Sequence, residues 1–320
     1  MFERRNKNKI ILTVLVIVLA VLAVSSAVAV KLATLEKERK KAELHGENGK
    51  FAMNYSDSML SLDISSPQGF VYDVKNDVII FSKGSDRVVY PGSTTKLLTA
   101  LFALRVLPAD REIAPGNELS LVKEGSSVAY IKEHHILSVE MLVEAMLIPS
   151  GNDAAYVIAA AAGREIEGDE QIDGVRAVDI FMTALRQYAS EIGLCGTALS
   201  VPDGYGDSNH YTTTEDMIIV SRLAMENELI MKYASMPRAE VVYASGHTNE
   251  WTNTNKLLDK NSNFYSPYVT GLKTGSIDGE CSLVFSFEFK DGREYIGGVF
   301  GSSDKNTRFY DALKIIESMR

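Results

Sequence analysis

Cysteine is scarce in this 320-residue chain, which contains only Cys195 and Cys281. Two distant cysteines exclude a small disulfide scaffold, although the sequence leaves open whether they pair or stay as buried free thiols. An excess of positive charge is also absent, because 42 Asp and Glu outnumber 33 Lys and Arg and give a net charge of −9. Proteins that bind nucleic acid generally show a basic face, so no nucleic-acid partner is expected.

Charge-free apolar runs of membrane-spanning length are missing except at residues 10–30, which follow a basic segment at 1–9. A helix that crosses a bilayer needs about 20 apolar residues, so we expect a single-pass anchor here. Ala27-Val28-Ala29 also fits a signal-peptidase site, so cleavage after Ala29 and secretion is the alternative. Residues 31–52 are charged and predict a stalk or linker, and residues 53–320 form the expected globular domain.

The apolar periodicity predicts a mixed α/β (α+β) fold. Two strands with an intervening turn are expected at 69–90, and three strands near the C-terminus include a hairpin at Asp291-Gly292. The stretch between them predicts mainly helices, including one over 152–163 that stops at Gly163 and one that stops at Gly193. We therefore expect the two ends of the globular domain to share one antiparallel sheet, with an all-helical subdomain inserted between them.

The first chemical motif is a serine three residues ahead of a lysine, at Ser93 and Lys96. The same spacing also occurs at Ser120/Lys123 and Ser302/Lys305, so the pattern alone is weak. Only Ser93 opens a long apolar helix, where both side chains share one face and the helix N-terminus disfavours an ammonium. A neutral Lys96 could then take the proton of Ser93. The alternative is that Ser93 is only a helix N-cap.

Two further motifs occur once each. Ser150-Gly-Asn152 lies between two predicted helices, where a loop can point polar side chains into a cleft; helix capping is its alternative interpretation, and the one we prefer for Asp153. Lys273-Thr274-Gly275 lies on a predicted strand, where charge, hydroxyl and close backbone approach suit an extended ligand with a carboxylate. Its alternative is a strand that runs into a turn.

The three motifs in this order are the signature of serine enzymes that interact with penicillin. The chain thereby resembles the D-alanyl-D-alanine carboxypeptidase family of low-molecular-weight penicillin-binding proteins. The segments YPGSTTKLLTAL, SNHYTTTEDM and TNTNKLL are similar to family segments, and the resemblance covers about residues 55–320. It implies a β-lactamase/penicillin-binding transpeptidase-like fold and peptidoglycan stem peptides ending in D-Ala-D-Ala as substrate. β-Lactam antibiotics would act as acylating inhibitors, and neither a cofactor nor a metal is needed.

The resemblance also implies roles for the motif residues. Ser93 would attack the carbonyl between the two D-alanines, Lys96 would accept its proton, and Ser150 would relay a proton to the leaving amine. Asn152 would hold the substrate amide and orient Lys96. The remaining site residues would bind the terminal carboxylate (Lys273, Thr274, Arg308) or supply backbone N–H groups to an oxyanion hole (Ser93, Ser276). A surface salt bridge on the last helix is the alternative for Arg308.

The chain departs from the family pattern at Asp203, which replaces the histidine of an N-P-H-G-L segment. The adjacent pair His134-His135 is expected on a loop surface, since no third metal ligand follows at a recognisable spacing. A class A β-lactamase shares the three motifs but has a glutamate about 36 residues after the second, where this chain has Arg186. A penicillin-acylated sensor with slow or no turnover is the non-enzymatic alternative. The substrate would place the catalytic domain outside the cytoplasmic membrane.

Overall fold

The first two long strands of the globular domain pair with its last three. The computed structural model describes residues 53–206, 208–243, 246 and 248–320. The bounds of these strands are β1 Gln68–Asp73, β2 Val78–Lys83, β7 Val269–Ile277, β8 Glu280–Glu288 and β9 Glu294–Ser302. They form an antiparallel five-stranded sheet in the order β2-β1-β9-β8-β7. β1 pairs with β9 from Gln68 opposite Phe300 to Asp73 opposite Tyr295, so segments more than 200 residues apart in the chain lie side by side.

A predominantly helical segment connects β2 with β7, as the sequence predicted. The expectation that it is all-helical is wrong, because it also contains two small two-stranded sheets: β3 Glu112–Ile113 pairs with β4 Leu137–Ser138, and β5 Arg238–Val242 pairs with β6 Thr248–Thr252. Its helices are α1 Lys96–Val106, α2 Val139–Leu147, α3 Asn152–Glu167, α4 Gly174–Glu191, α5 Thr214–Met225 and α6 Glu228–Ala234; α7 Thr307–Ser318 follows β9.

The expected end of α3 at Gly163 is wrong. The helix continues to Glu167 and ends at Gly168, whose left-handed backbone closes it. Gly163 serves packing instead, because a Cβ at this position would lie 1.9 Å from the carbonyl oxygen of Ala177 on α4. A glycine that allows two helices to approach closely cannot be distinguished from a helix stop by composition alone.

Two cores hold the domain together. Aromatic side chains of β8 pack with α7, and Phe285, Phe287 and Phe309 are fully buried there. The second core lies among the helices, where the first eight residues of α1 and the first twelve of α3 are all buried. A helix that is buried on every side must lie inside the protein. The polar residues at the starts of α1 and α3 are therefore removed from water.

The N-terminal anchor or signal segment at 10–30 and the stalk at 31–52 lie outside the described residues. None of the helices in the described part of the chain combines the length and apolarity needed to span a bilayer. Residues 53–320 make up one compact unit.

Candidate active site

Ser93 lies in a single 3-10 turn, Gly92–Thr95, directly before α1. The expectation that Ser93 starts the helix is therefore displaced by three residues, because α1 begins at Lys96 and its N-cap is Thr95. The Ser93 side chain makes no capping hydrogen bond to either helix. The alternative interpretation of Ser93 as a helix cap is wrong, and its hydroxyl faces Lys96 instead.

The amine of Lys96 is completely buried and is held by three oxygen atoms. Its Nζ lies 2.8 Å from Ser93 Oγ, 2.7 Å from Asn152 Oδ1 and 2.9 Å from the carbonyl oxygen of Asp203. Burial lowers the pKa of Lys96 to about 8, against opposing effects of the Asp203 and Asp153 carboxylates. An amine with this pKa is partly neutral near physiological pH and can accept a proton.

Ser150 lies in the short connection between α2 and α3, and Asn152 is the first residue of α3. Ser150 has a left-handed backbone with φ of 66°, which is rare for a residue with a side chain and is often found at functional sites. Asn152 directs its amide oxygen to Lys96, so it does not cap α3. The expectation that Asp153 caps α3 is wrong, because Gly151 is the N-cap of this helix and no side chain caps it. Asp153 instead accepts hydrogen bonds from the backbone N–H groups of Ala129 and Ile131, each at 2.9 Å.

Lys273 crosses from strand β7 to the same cleft. Its Nζ donates to Ser150 Oγ over 2.9 Å, and the side chain is only 1% exposed. Burial and the positive charges of Lys96 and Arg308 hold the pKa of Lys273 well below its usual range. Two lysines and two serines thus form adjacent Lys–Ser pairs, and the positive charges in the cleft repel one another.

Thr274 and Gly275 follow Lys273 along the edge of the sheet. Thr274 Oγ1 lies 2.6 Å from Thr254 Oγ1, so a second hydroxyl orients it. A Cβ at Gly275 would lie 2.2 Å from the carbonyl oxygen of Pro91, in the segment that leads into the Ser93 turn. Only glycine permits this approach, which brings the backbone of β7 beside the Ser93 turn.

Arg308, near the start of α7, reaches the back of the same strand. Its Nη1 donates to the carbonyl oxygen of Gly275 over 2.7 Å and contacts Ser276 Oγ at 3.2 Å. The side chain is only 5% exposed, so the alternative of a surface salt bridge is wrong. Ser93, Ser150, Asn152, Thr274, Gly275, Ser276 and Arg308 line one cleft of about 650 Å³.

In the other two serine–lysine pairs, the serine bonds to a residue other than the lysine of its pair. Ser120 Oγ donates to the carbonyl oxygen of Asn117, and Lys123 Nζ donates to the carbonyl oxygen of Tyr205. Ser302 is buried against Ser66 at 2.7 Å, whereas Lys305 is exposed. Their neighbours, and not the spacing, distinguish them from Ser93 and Lys96.

Sequence reasoning missed two contributors to the cluster. Thr254 supports Thr274, and the carbonyl oxygen of Asp203 accepts a hydrogen bond from Lys96. Thr254 lies in the family-like segment TNTNKLL, and Asp203 lies in VPDGY, which takes the place of the family's N-P-H-G-L segment; these were the available signals. No pattern in the sequence shows that the Asp203 carbonyl reaches the start of α1 or that Thr254 reaches β7.

The two adjacent histidines differ in their exposure to solvent. His135 is buried at 1% exposure and stacks on Tyr243, so its expected place on a loop surface is wrong, whereas His134 is exposed. Among the residues that the structure describes, no group of three His, Cys, Asp or Glu side chains could hold a metal ion. Both cysteines are free, Cys195 exposed and Cys281 buried.

Arg186, where a class A β-lactamase has its glutamate, lies on α4. Its Nη1 donates to the carbonyl oxygen of Leu199 over 3.1 Å. The nearby Glu191 accepts a hydrogen bond from Gln187 on the same helix. Neither residue supplies the carboxylate that the class A comparison requires.

An antiparallel sheet with an inserted helical region, a buried lysine on a serine and a second Lys–Ser pair define a serine acyl-transfer enzyme of the penicillin-interacting class. The family model for D-alanyl-D-alanine carboxypeptidase matches residues 54–302. The chain belongs to this family of serine peptidases, as its motifs indicated.

Known relatives agree. D-alanyl-D-alanine carboxypeptidase DacF of Bacillus subtilis (strain 168) is 26% identical over 249 residues, which cover 75% of this chain and 58% of that protein. D-alanyl-D-alanine carboxypeptidase of Streptomyces sp. (strain K15) is 28% identical over 263 residues, covering 79% and 86%. The crystal structure of the Streptomyces K15 DD-transpeptidase superposes with a TM-score of 0.72 at 26% identity, covering 81% of this chain and 98% of that one. The expected fold is thereby confirmed.

Proposed function

We propose that this chain is a serine-type D-Ala-D-Ala carboxypeptidase that removes the terminal D-alanine from peptidoglycan stem peptides. The observation that carries the proposal is the completely buried Lys96 amine, 2.8 Å from Ser93 Oγ. Burial favours the neutral amine, and a neutral amine at hydrogen-bond distance can act as the base for a serine nucleophile.

Acylation begins when Ser93 Oγ attacks the carbonyl carbon between the two D-alanines. The hydroxyl proton passes to Lys96 Nζ, and the C–N bond of the resulting tetrahedral intermediate then breaks. Ser150 Oγ, which Lys273 Nζ holds at 2.9 Å, delivers a proton to the departing amine and takes up the proton that Lys96 had accepted, so that Lys96 is neutral again. Free D-alanine and an ester on Ser93 are the products of this half-reaction.

The terminal carboxylate suits the positive end of the cleft. Lys96, Lys273 and Arg308 are all buried. Besides burial, the positive charges of Lys96 and Arg308 lower the pKa of Lys273. An entering carboxylate relieves this repulsion and favours the ammonium form of Lys273. Thr274 adds a hydroxyl that Thr254 orients. The local positive charge contrasts with the net charge of −9 of the whole chain.

The developing oxyanion would lie between β7 and the Ser93 turn. A Cβ placed on Gly275 would be 3.3 Å from Ser93 N, and one placed on Gly92 would be 2.8 Å from Ser276 N. The two backbone N–H groups are therefore close to each other beside the nucleophile. Losing one such donor typically costs about 10²–10³-fold in rate.

Deacylation completes the cycle when water attacks the ester carbonyl and Ser93 regains its proton. An amine in place of water would give transpeptidation. Endopeptidase activity would be the same hydrolytic cycle, with water as the acceptor, on a cross-linking peptide bond. β-Lactams would acylate the same serine, because their strained amide occupies the place of the scissile peptide bond.

We further propose that the catalytic domain lies outside the cytoplasmic membrane, attached through residues 10–30. Peptidoglycan stem peptides are found there, and residues 10–30 are uncharged and long enough to cross a bilayer. Cleavage after Ala29 would release the domain instead. Protease accessibility and the mass of the protein from intact cells would distinguish these two fates.

The proposed activity is tested by incubating the purified full-length chain with a peptide that ends in D-Ala-D-Ala. Release of D-alanine is expected, and Ser93→Ala should abolish it. Labelling by a fluorescent penicillin without release of D-alanine would contradict the carboxypeptidase and favour a sensor. Rapid hydrolysis of the penicillin would favour a β-lactamase. An added glycine acceptor reports transpeptidation.

A further inference from the structure

A buried carboxylate stands behind the Lys–Ser pair without a full set of partners. Asp203 is only 1% exposed, and its Oδ1 accepts a hydrogen bond from the backbone N–H of Tyr205 at 3.0 Å. Within the described part of the chain, no group hydrogen-bonds its Oδ2. Burying a carboxylate oxygen without a partner is costly unless a nearby charge compensates for it.

The compensating charge available to Asp203 is on Lys96. The two residues touch through the backbone, since Lys96 Nζ donates to the carbonyl oxygen of Asp203 over 2.9 Å. The carboxylate also acts on this amine through space and favours its ammonium form. The chain next to Asp203 is held in place by Thr99 of α1, whose Oγ1 donates to the carbonyl oxygen of Pro202 over 2.6 Å. Asp203 is therefore fixed both to α1 and to its lysine.

Both negative and positive groups surround the Asp203–Lys96 pair. The charged groups that face Lys96 are Asp203 of the loop, Asp153 of α3 and Lys273 of β7. Burial raises the pKa of the Tyr156 phenol on α3, and the nearby Asp203 carboxylate adds to this effect. Asp153 is committed to backbone N–H groups of residues 129 and 131, which leaves Asp203 as the acid with a free oxygen.

We propose that Asp203 is a positioning residue for Lys96, fixing its amine through the main-chain carbonyl and stabilising its ammonium form through the buried carboxylate. This inference rests on the proposed function, in which Lys96 becomes an ammonium as it takes the proton of Ser93. A preorganised negative charge beside that ammonium lowers the energy of the transition state. The same charge makes Lys96 harder to deprotonate, so the enzyme loses activity in mildly acidic solution.

The histidine that the family segment has at this position would carry no negative charge. In this chain the Asp203 carboxylate therefore opposes the effect of burial and moves the pH range of the base upward. Asp203→Asn is the sharpest variant, because it retains the backbone carbonyl and the side-chain shape while it removes the charge. Asp203→His restores the family residue and serves as the second variant if the first does not fold.

The experiment measures the rate at which a fluorescent penicillin acylates the full-length protein between pH 5 and 10. The wild type should gain activity with a midpoint near pH 8, the pKa of Lys96. Both Asp203 variants should shift this midpoint to lower pH by about one unit, since removing a nearby opposite charge favours the neutral amine. The maximal rate at high pH should fall, because a weaker base accepts the proton less readily.

The matched control is Asp110→Asn, which removes an exposed carboxylate in the loop between α1 and β3. Solvent screens that charge, so the midpoint should stay where it is in the wild type. An unchanged midpoint in folded Asp203 variants would overturn the inference, as would a shift to higher pH. If the wild type is not labelled on Ser93 at any pH, the proposed function itself fails, and this outcome is distinguishable from an unshifted midpoint.

Discussion

Lys273 Nζ lies 2.9 Å from Ser150 Oγ across 123 residues of sequence. The bond joins the edge of the five-stranded sheet to the loop between α2 and α3. Beside it, Lys96 makes the equivalent contact with Ser93 at 2.8 Å. Each of the two buried lysines contacts a serine: the Lys96 amine is the base for the nucleophile, and the Lys273 amine orients the second hydroxyl.

The nucleophilic pair can be tested against its sequence look-alike. Ser93→Ala should lower the rate of D-alanine release by at least about 10⁴-fold, because the acyl-enzyme cannot form. Lys96→Ala should lower it by about 10²–10⁴-fold through loss of the base. Ser120→Ala, in an exposed pair with the same spacing, is the matched control and should retain wild-type release. Comparable losses in the control would contradict the assignment of the motif.

The role of Lys273 is tested by changing the substrate as well as the residue. Lys273→Ala should lower kcat/KM about 10²-fold for a peptide ending in D-Ala-D-Ala, as expected for a lost hydrogen bond to a charged group. The same variant should lose much less with a peptide ending in D-alaninamide, which has no carboxylate. Equal losses with both peptides would mean that Lys273 only orients the Ser150 hydroxyl and does not bind the substrate carboxylate.

The close approach of β7 to the Ser93 turn predicts the effect of one added methyl group. Gly275→Ala would place a Cβ 2.2 Å from the carbonyl oxygen of Pro91, so the strand and the turn must separate. We expect acylation by penicillin to fall about 10²-fold, since small displacements of reacting groups have large effects. Thermal unfolding measured in parallel should show that the variant remains folded. Acylation at the wild-type rate would contradict the geometry of the oxyanion site.

Glu144, outside the cleft on α2, predicts a pH dependence of stability. Burial raises the pKa of its carboxyl to about 7 in the folded protein, above its usual value in the unfolded chain. The protonated form is therefore favoured by folding, and stability is lost as the pH rises through this range. Glu144→Gln should raise the free energy of unfolding at pH 8 by about 1 kcal/mol after allowance for solvent screening. For a domain of this size, that change corresponds to a rise in Tm of about 2 °C.

The comparison at pH 4 completes this test. Both the wild-type carboxyl and the glutamine are then uncharged in the folded protein, so the two proteins should unfold at nearly the same temperature. A variant that is less stable than the wild type at pH 8 would show that the Glu144 carboxylate makes a favourable contact when it is ionised.

The sequence by itself determined the family, the shared sheet of the two chain ends and the identity of the motif residues. Periodicity and turn chemistry depend on neighbouring residues, and the three motifs are short enough to be recognised along the chain. The sequence did not determine that α3 passes beyond Gly163, that His135 is buried or that Arg308 lies behind β7, because each depends on which distant surface covers the residue.

Tertiary structure alone decided the chemistry of Lys96. Three serine–lysine pairs have the same spacing, but only one lies at the start of a helix that is buried on every side. Desolvation there lowers the pKa of the amine, and the oxygens of Ser93, Asn152 and Asp203 hold it in place. Reactivity in this protein therefore arises from the removal of water from a lysine, which no local pattern of residues can specify.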